Sequence, residues 1–271
     1  MINFFKKFLA FLRKDIKIAL SYKFNILLQF FAVLFLLSLF SFSLNNIDFY
    51  SFENNSPSRY YEFFRILIGI ALIDFMFSSM SVFSREVRLA QNHGTFEALI
   101  LTNTSILTIL LSSYALTFAK SFIRIIIYIL IGIFIFGLDI PLKNIPIFLL
   151  IVIYNALPYV GVGLIAASFI ILFKVGNLIN LFVGLFSIFF SGIFFSIDSL
   201  PNELINIANN LPLSISLDLG QQALLNNFSF HEAFPELLKV SYLIILFLPS
   251  SIILVYHSLR ISKKNGSLNH Y

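Results

Sequence analysis

Cysteine and tryptophan are missing from the 271 residues, and charged side chains make up only 11% of them. Without cysteine the chain has no disulfide and no thiolate metal site, and it carries no sign of its redox compartment. The scarcity of charge excludes more, because a soluble domain is about a quarter charged. No globular core of this length could hide a composition that is 59% hydrophobic with 35 Phe, whereas lipid can. The four histidines, His93, His231, His257 and His270, are scattered without partners at ligand spacing, which predicts no metal site. A phosphate loop of the form G-x-x-x-x-G-K-[ST] is also absent, so this chain does not hydrolyse ATP by that chemistry. Nor does it contain a Ser, His and acid constellation or a paired-carboxylate motif suited to an enzyme.

What is present is a series of long apolar runs. A bilayer core about 30 Å thick requires about 20 apolar helical residues, and six stretches meet that length: 25–44, 63–83, 112–138, 147–173, 178–197 and 236–258. In the third, apolar character begins near Ile106 and is interrupted by Lys120 and Arg124. The first long run follows more than twenty basic and aromatic residues and lacks a small-residue cleavage site, so the first span should remain in the mature protein. The expected fold is all-α, one polytopic membrane domain over 1–271, with no internal repeat or soluble second domain.

Ahead of the first span, Phe5, Phe8, Leu9, Leu12, Ile16, Ala19 and Leu20 recur at helical spacing, with Lys6, Lys7, Arg13, Lys14 and Lys17 mostly on the other side. This predicts an amphipathic helix over 4–22, lying in the membrane interface with its basic side on anionic headgroups. The net charge of +5 and pI near 9.3 would suggest nucleic acid in a soluble protein, but here the basic residues orient the chain and no nucleic-acid partner is expected. Lys6, Lys7, Arg13, Lys14, Lys17, Lys23, Arg85, Arg88, Lys120, Arg124, Lys174, Arg260, Lys263 and Lys264 fall on one side, leaving Arg59, Arg65, Lys143 and Lys239 on the other. The positive-inside rule then places both termini in the cytoplasm, across an inner (cytoplasmic) membrane. With no tryptophan, Tyr22, Tyr60, Tyr61, Tyr242 and Tyr256 must anchor the span ends.

Two connecting segments carry the most information. The inner one, SREVRLAQNHGTFEALILTNTS over 84–105, contains Asn92, His93 and Gly94 as a helix stop, then Thr95 to cap a second helix with Glu97 in its first turn. A packed elbow between two spans explains these residues as well as a docking surface does. The outer segment, within 191–225, has Pro201 to start a short helix and Pro212 to stop it. Leu204, Ile207, Ala208 and Leu211 then oppose Asn202, Glu203, Asn206 and Asn210. The helix between the two prolines is too short to cross, so the outer helical segment over 198–228 should be amphipathic or re-entrant.

Together these segments resemble the ABC-2 type permease family, the membrane subunits of ATP-binding-cassette exporters. The inner family motif is matched by Glu86, Gly94, Thr95, Phe96, Glu97, Leu99, Leu101 and Thr102, with Asn103 where the family often has Pro. The outer motif is matched by Gly192, Phe194, Phe195, Leu200, Pro201, Leu211, Pro212, Leu213, Leu217 and Asp218, with Gln221 in place of the usual Arg and Ser214–Ser216 in place of Thr-Tyr. The resemblance implies that 85–101 is a coupling helix seated on a cytoplasmic ATPase, with Glu86, Arg88, Gly94, Thr95 and Glu97 as coupling residues. It also implies a separate nucleotide-binding subunit that uses ATP and Mg, no cofactor bound by this chain, and a second copy or similar permease chain to complete the pore.

Inside the membrane, Asp74 is the leading site candidate, because a charge in mid-span must be neutralised, paired or turned to a cavity. It either contacts substrate or serves as a structural partner of Lys120, Arg124 or Asn155. Phe186, Phe190 and Phe194 could line a greasy path or simply face lipid, while Ser187 and Ser191 permit close helix contact. Asn155 beside Pro158 suggests a kink with a freed carbonyl that the Asn could satisfy. The expected function is the permease subunit of an exporter moving an amphipathic compound, lipid or lipid-linked glycan. An integral-membrane lipid-modifying enzyme and an ion-coupled secondary transporter are the alternatives.

Overall fold

The computed structural model describes residues 2–21 and 58–265, except Asn103, Asp139, Gly176, Phe195 and 226–229, together with isolated positions between 28 and 39. Every regular element among the described residues is helical. The helices are α1 (Ile2–Ser21), α2 (Ser58–Asn92), α3 (Phe96–Leu101), α4 (Ile106–Phe134), α5 (Ile145–Phe173), α6 (Asn177–Phe190), α7 (Asn202–Asn209), α8 (Pro212–Leu225) and α9 (Phe230–Asn265).

Four of these, α2, α4, α5 and α9, are long and apolar enough to cross a membrane. They coincide with four of the six expected spans. The span expected at 25–44 lies outside the described residues apart from the isolated positions. The one expected at 178–197 is the 14-residue α6, which ends at Phe190. At 1.5 Å per residue it covers about 21 Å, short of the hydrocarbon thickness. Hydropathy alone runs on through Ile193 and Phe194, but Gly192 adopts φ +77° and turns the chain.

The bundle is organised around α5, which packs against α9, α2 and α8. Close approach is built into its sequence: a Cβ on Gly163 would fall 2.5 Å from the Met80 carbonyl oxygen of α2. In lipid there is no hydrophobic drive between helices, so small residues and dispersion contacts hold them together. The main cluster joins Phe64, Ile68, Leu72, Phe75 and Met76 of α2 to Val152, Ala156 and Tyr159 of α5. A second cluster, toward the basic end, surrounds Phe83, Val87 and Phe96. Some buried serines satisfy their hydroxyls on their own helices, as Ser112 does on the Ile109 carbonyl (2.7 Å) and Ser168 on that of Leu164 (2.9 Å).

The amphipathic helix expected at 4–22 is α1. It lies along α4, where Asp15 accepts a 2.8 Å hydrogen bond from the Ser113 hydroxyl.

Candidate functional site

The expected helix break at Asn92–Gly94 is formed by a Schellman turn. Gly94 takes φ +65°, its N–H bonds the Gln91 carbonyl at 3.0 Å, and the Thr95 N–H reaches back to Ala90 at 2.9 Å. Only a residue tolerant of the left-handed region fits there. Thr95 does not cap the next helix: it has α-helical backbone angles, and its hydroxyl donates to the Ala90 carbonyl at 3.2 Å. The side chain thus ties the turn back onto α2. Ser105 is the residue that caps the return helix α4, accepting from the Thr108 N–H.

The segment 85–101 is therefore two pieces of unequal kind. Residues 85–92 continue α2 without interruption, because nothing in SREVRLAQN breaks a helix before Gly94. Beyond the turn, α3 is a six-residue helix anchored by Phe96, which is 1% exposed within the second cluster, with half-buried Ile100 packed against the same cluster. Glu97, Ala98, Leu101 and Thr102 point outward, with Leu101 78% exposed. Gly94, Thr95 and Glu97 thus share one exposed tip. Glu86 does not join them. It is half-buried among Asp15, Arg85 and Ser113, where α1, α2 and α4 meet. Arg88 is also half-buried, on the side of α2 that faces α6.

Asp74 forms an ion pair with Arg124 of α4, Oδ2 to Nε at 2.6 Å. The same guanidinium donates to the hydroxyls of Ser78 (2.7 Å) and Ser121 (2.8 Å). A mid-span carboxylate with a charged, hydrogen-bonded partner on the neighbouring helix is neutralised locally. Asn155 is fully buried elsewhere in α5, and neither of its amide atoms has a hydrogen-bond partner in the described structure, so the expected bond to a carbonyl freed by Pro158 is not formed.

On α6 the two faces separate. Asn180, Gly184 and Ser187 are buried, and Ser187 accepts from the Tyr159 hydroxyl at 3.1 Å. Leu178, Leu181, Phe182, Leu185, Phe186 and Phe189 are exposed on the other side. Phe186 packs on Phe190 with ring centroids 4.6 Å apart, and Phe194 lies beyond the helix end, also exposed. Ser191, expected to aid helix contact, instead closes the helix by bonding the Ile188 carbonyl.

At the opposite end, Pro201 immediately precedes α7, as expected for a helix start. Pro212 does more than stop α7, since it is the first residue of α8, where its missing N–H costs nothing. The outer segment is amphipathic only in α7. Helix α8 is buried along nearly its whole length, Leu213 through Leu217 included, between α2, α5 and α9. Asp218 and Gln222 are its exposed positions. Nearby protein still strips enough water to push the Asp218 carboxyl up, with Arg65 pulling it back and Glu236 and Asp198 adding to the rise. The Arg65 guanidinium passes so close to Gly192 that a Cβ there would sit 2.7 Å from Nη2.

The sequence patterns missed Phe96 as the anchor of α3, although it is the one aromatic residue in a polar, turn-rich stretch. They also missed Arg65, whose position three residues before Ile68 places it on the buried side of α2. Among the described residues no group of three or more His, Asp or Glu could hold a metal ion.

A family model described as ABC-2 type transporter matches residues 6–225, from α1 through α8. No curated protein matches the chain.

Proposed function

The chain belongs to the ABC-2 type transporter family, and from that premise we propose that it is the half-pore of an exporter, driven by a separate cytoplasmic ATPase subunit. The matched span includes both informative segments, 84–105 and 191–225, and a membrane domain of this family is a permease component. In this reading six helices cross the inner membrane, with 25–44 and the α6 region as the two crossings beyond the four long helices. Both termini lie in the cytoplasm, and two permease chains, identical or similar, form the conduit. ATP and Mg act in the partner subunit. The cargo is an amphipathic compound, a lipid or a lipid-linked glycan.

The observation that carries this reading is the tip made by the Gly94 turn and α3. A six-residue helix anchored by Phe96 and presenting Glu97 and Leu101 outward has the form of a contact surface. It is also joined rigidly to what lies in the membrane, because α2 runs unbroken from Ser58 to the turn and Ser105 restarts α4 three residues after Thr102. Motion of a subunit seated on this tip would be passed to two spans as a rigid-body shift. We assign Asp74 to holding α2 against α4 through Arg124, and Phe186, Phe190 and Phe194 to a surface covered by lipid or by the second permease chain.

Copurification with a phosphate-loop ATPase, followed by transport in vesicles, tests the proposal. Glu97→Lys should lower thermal stability only slightly, by about 1 kcal/mol, while lowering ATP-dependent transport at least about tenfold, since charge reversal at an interface costs more than 1.4 kcal/mol. Unchanged transport by Glu97→Lys, or purified chain that never retains such an ATPase, would remove the coupling role.

A further inference from the structure

Near the basic end of α2, Arg85 and Arg88 stand three residues apart on one helix face. Together with Asn92 they wall a cavity of about 420 Å³, and Asn177 and Asn180 of α6 form its opposite side. No acidic residue lines it among the described residues. Two side chains that line it each hold a buried atom with no partner among the described residues, and the two atoms have opposite hydrogen-bonding sense. Arg88 Nε is a cationic donor with no acceptor. Asn180, only 7% exposed, spends its Nδ2 on the Met80 carbonyl (3.3 Å) and the Ser84 hydroxyl (3.0 Å), which leaves Oδ1 as an acceptor with no donor. Such groups are costly to leave unmatched, so they favour a ligand that offers both an acceptor and a donor.

The vertical placement indicates what kind of ligand. Taking Phe83 as the inner edge of the span, Arg85 and Arg88 lie about 3 and 7 Å beyond it, within the headgroup layer. Phe77, also in the lining, lies about 9 Å on the hydrocarbon side of that edge, and Leu181 adds apolar wall from α6. The cavity therefore runs from headgroup depth into acyl depth. Helix α6 begins beside it with no acidic residue in its first turn, so its dipole adds positive potential at the same level.

We propose that this cavity binds the phosphate of a membrane phospholipid, held by Arg85 and Arg88, with a headgroup hydroxyl donating to Asn180 and an acyl chain lying along Phe77 and Leu181. Planar guanidinium groups suit phosphate oxygens geometrically as well as electrostatically. A docked protein segment would satisfy the arginines but not the apolar floor inside the bilayer. Binding requires neither ATP nor a partner chain, so it stands or falls separately from the transport reading.

The test uses the purified full chain in detergent, titrated with phosphatidylglycerol, phosphatidylcholine or inorganic phosphate, with bound lipid counted by native mass spectrometry. Phosphatidylglycerol should be retained most strongly, and Arg88→Gln should weaken its retention about tenfold, the scale of one charge-assisted hydrogen bond. Arg88→Lys, which keeps the charge but loses the planar guanidinium, should retain more lipid than Arg88→Gln and less than the parent, separating lost chemistry from lost fold. Arg260→Gln, an exposed basic residue at the same end outside the cavity, should have no effect. Equal losses from Arg260→Gln and Arg88→Gln would reduce the effect to bulk surface charge and overturn the site. Competition by inorganic phosphate as strong as by phosphatidylglycerol would assign the cavity to free phosphate instead. Unchanged lipid retention in Arg88→Gln, with loss of a copurifying ATPase, would make these arginines a protein-docking face.

Discussion

The two segments that leave the bundle do so in opposite ways. At the basic end, the Gly94 turn and α3 fully bury one side chain, Phe96, half-bury Leu99 and Ile100, and turn the remainder outward. At the other end, α7 is a short amphipathic helix and α8 folds back so that nearly every residue from Pro212 to Leu224 is buried or half-buried, save Asp218 and Gln222. One segment is turned outward, the other is packed inward. The contrast explains why substitutions of similar chemistry should behave differently in the two places.

The sharpest test of that contrast removes the fully buried anchor. Phe96→Ala should destabilise the purified chain by about 3–5 kcal/mol through the cavity it leaves, read as a lower thermal midpoint, with proteolysis near 93–105 accelerated before the bundle opens. If the midpoint is unchanged, α3 is not held by Phe96 and the tip is not a defined surface. A smaller effect is expected at the turn. Gly94→Ala meets no atom within 4 Å, yet its φ of +65° is strained for any side chain, so the loss should be about 1 kcal/mol. Transport should fall by more than that stability loss explains, because the tip is re-aimed.

The smallest effect is at the packed end. Burial raises the Asp218 carboxyl, so the folded chain keeps that proton to higher pH than the unfolded one, and stability falls as pH rises through the interval between the two values. Asp218→Asn removes that loss. Its thermal midpoint should exceed that of the parent at neutral pH by no more than about 2 °C, and the difference should vanish below the ordinary aspartate range. A lower midpoint at neutral pH would show that the Arg65 interaction outweighs burial.

Much of this arrangement is legible in the sequence, and the parts that are not have physical reasons. Hydropathy locates the four long spans because lipid imposes length and apolarity on each helix by itself. Asn92-His93-Gly94 announces its turn because glycine chemistry is local. Hydropathy does not show that α2 continues nine residues past Phe83, since helix continuity depends on the absence of a breaker rather than on apolarity. It also misses the stop of α6 at Ser191–Gly192, where Ile193 and Phe194 keep the profile high while the backbone turns. The burial of α8 is hidden for a related reason. Ser214, Ser216 and Gly220 look like loop residues, but their small size lets α8 lie close against its neighbours, with a Cβ on Gly220 already 3.2 Å from Ile68 and Phe148. The Asp74–Arg124 pair was one of several open pairings, and only tertiary packing selects it.

The absence of cysteine makes the central claim directly measurable, because single-cysteine variants carry no background thiol. Leu101→Cys at the exposed tip and Phe230→Cys at the exposed start of α9 can each be expressed with the ATPase subunit and treated with a short bifunctional cross-linker. The account predicts a covalent permease–ATPase adduct from Leu101→Cys and none from Phe230→Cys. Adduct from Phe230→Cys alone, or from neither variant while ATP-dependent transport remains intact, would contradict it.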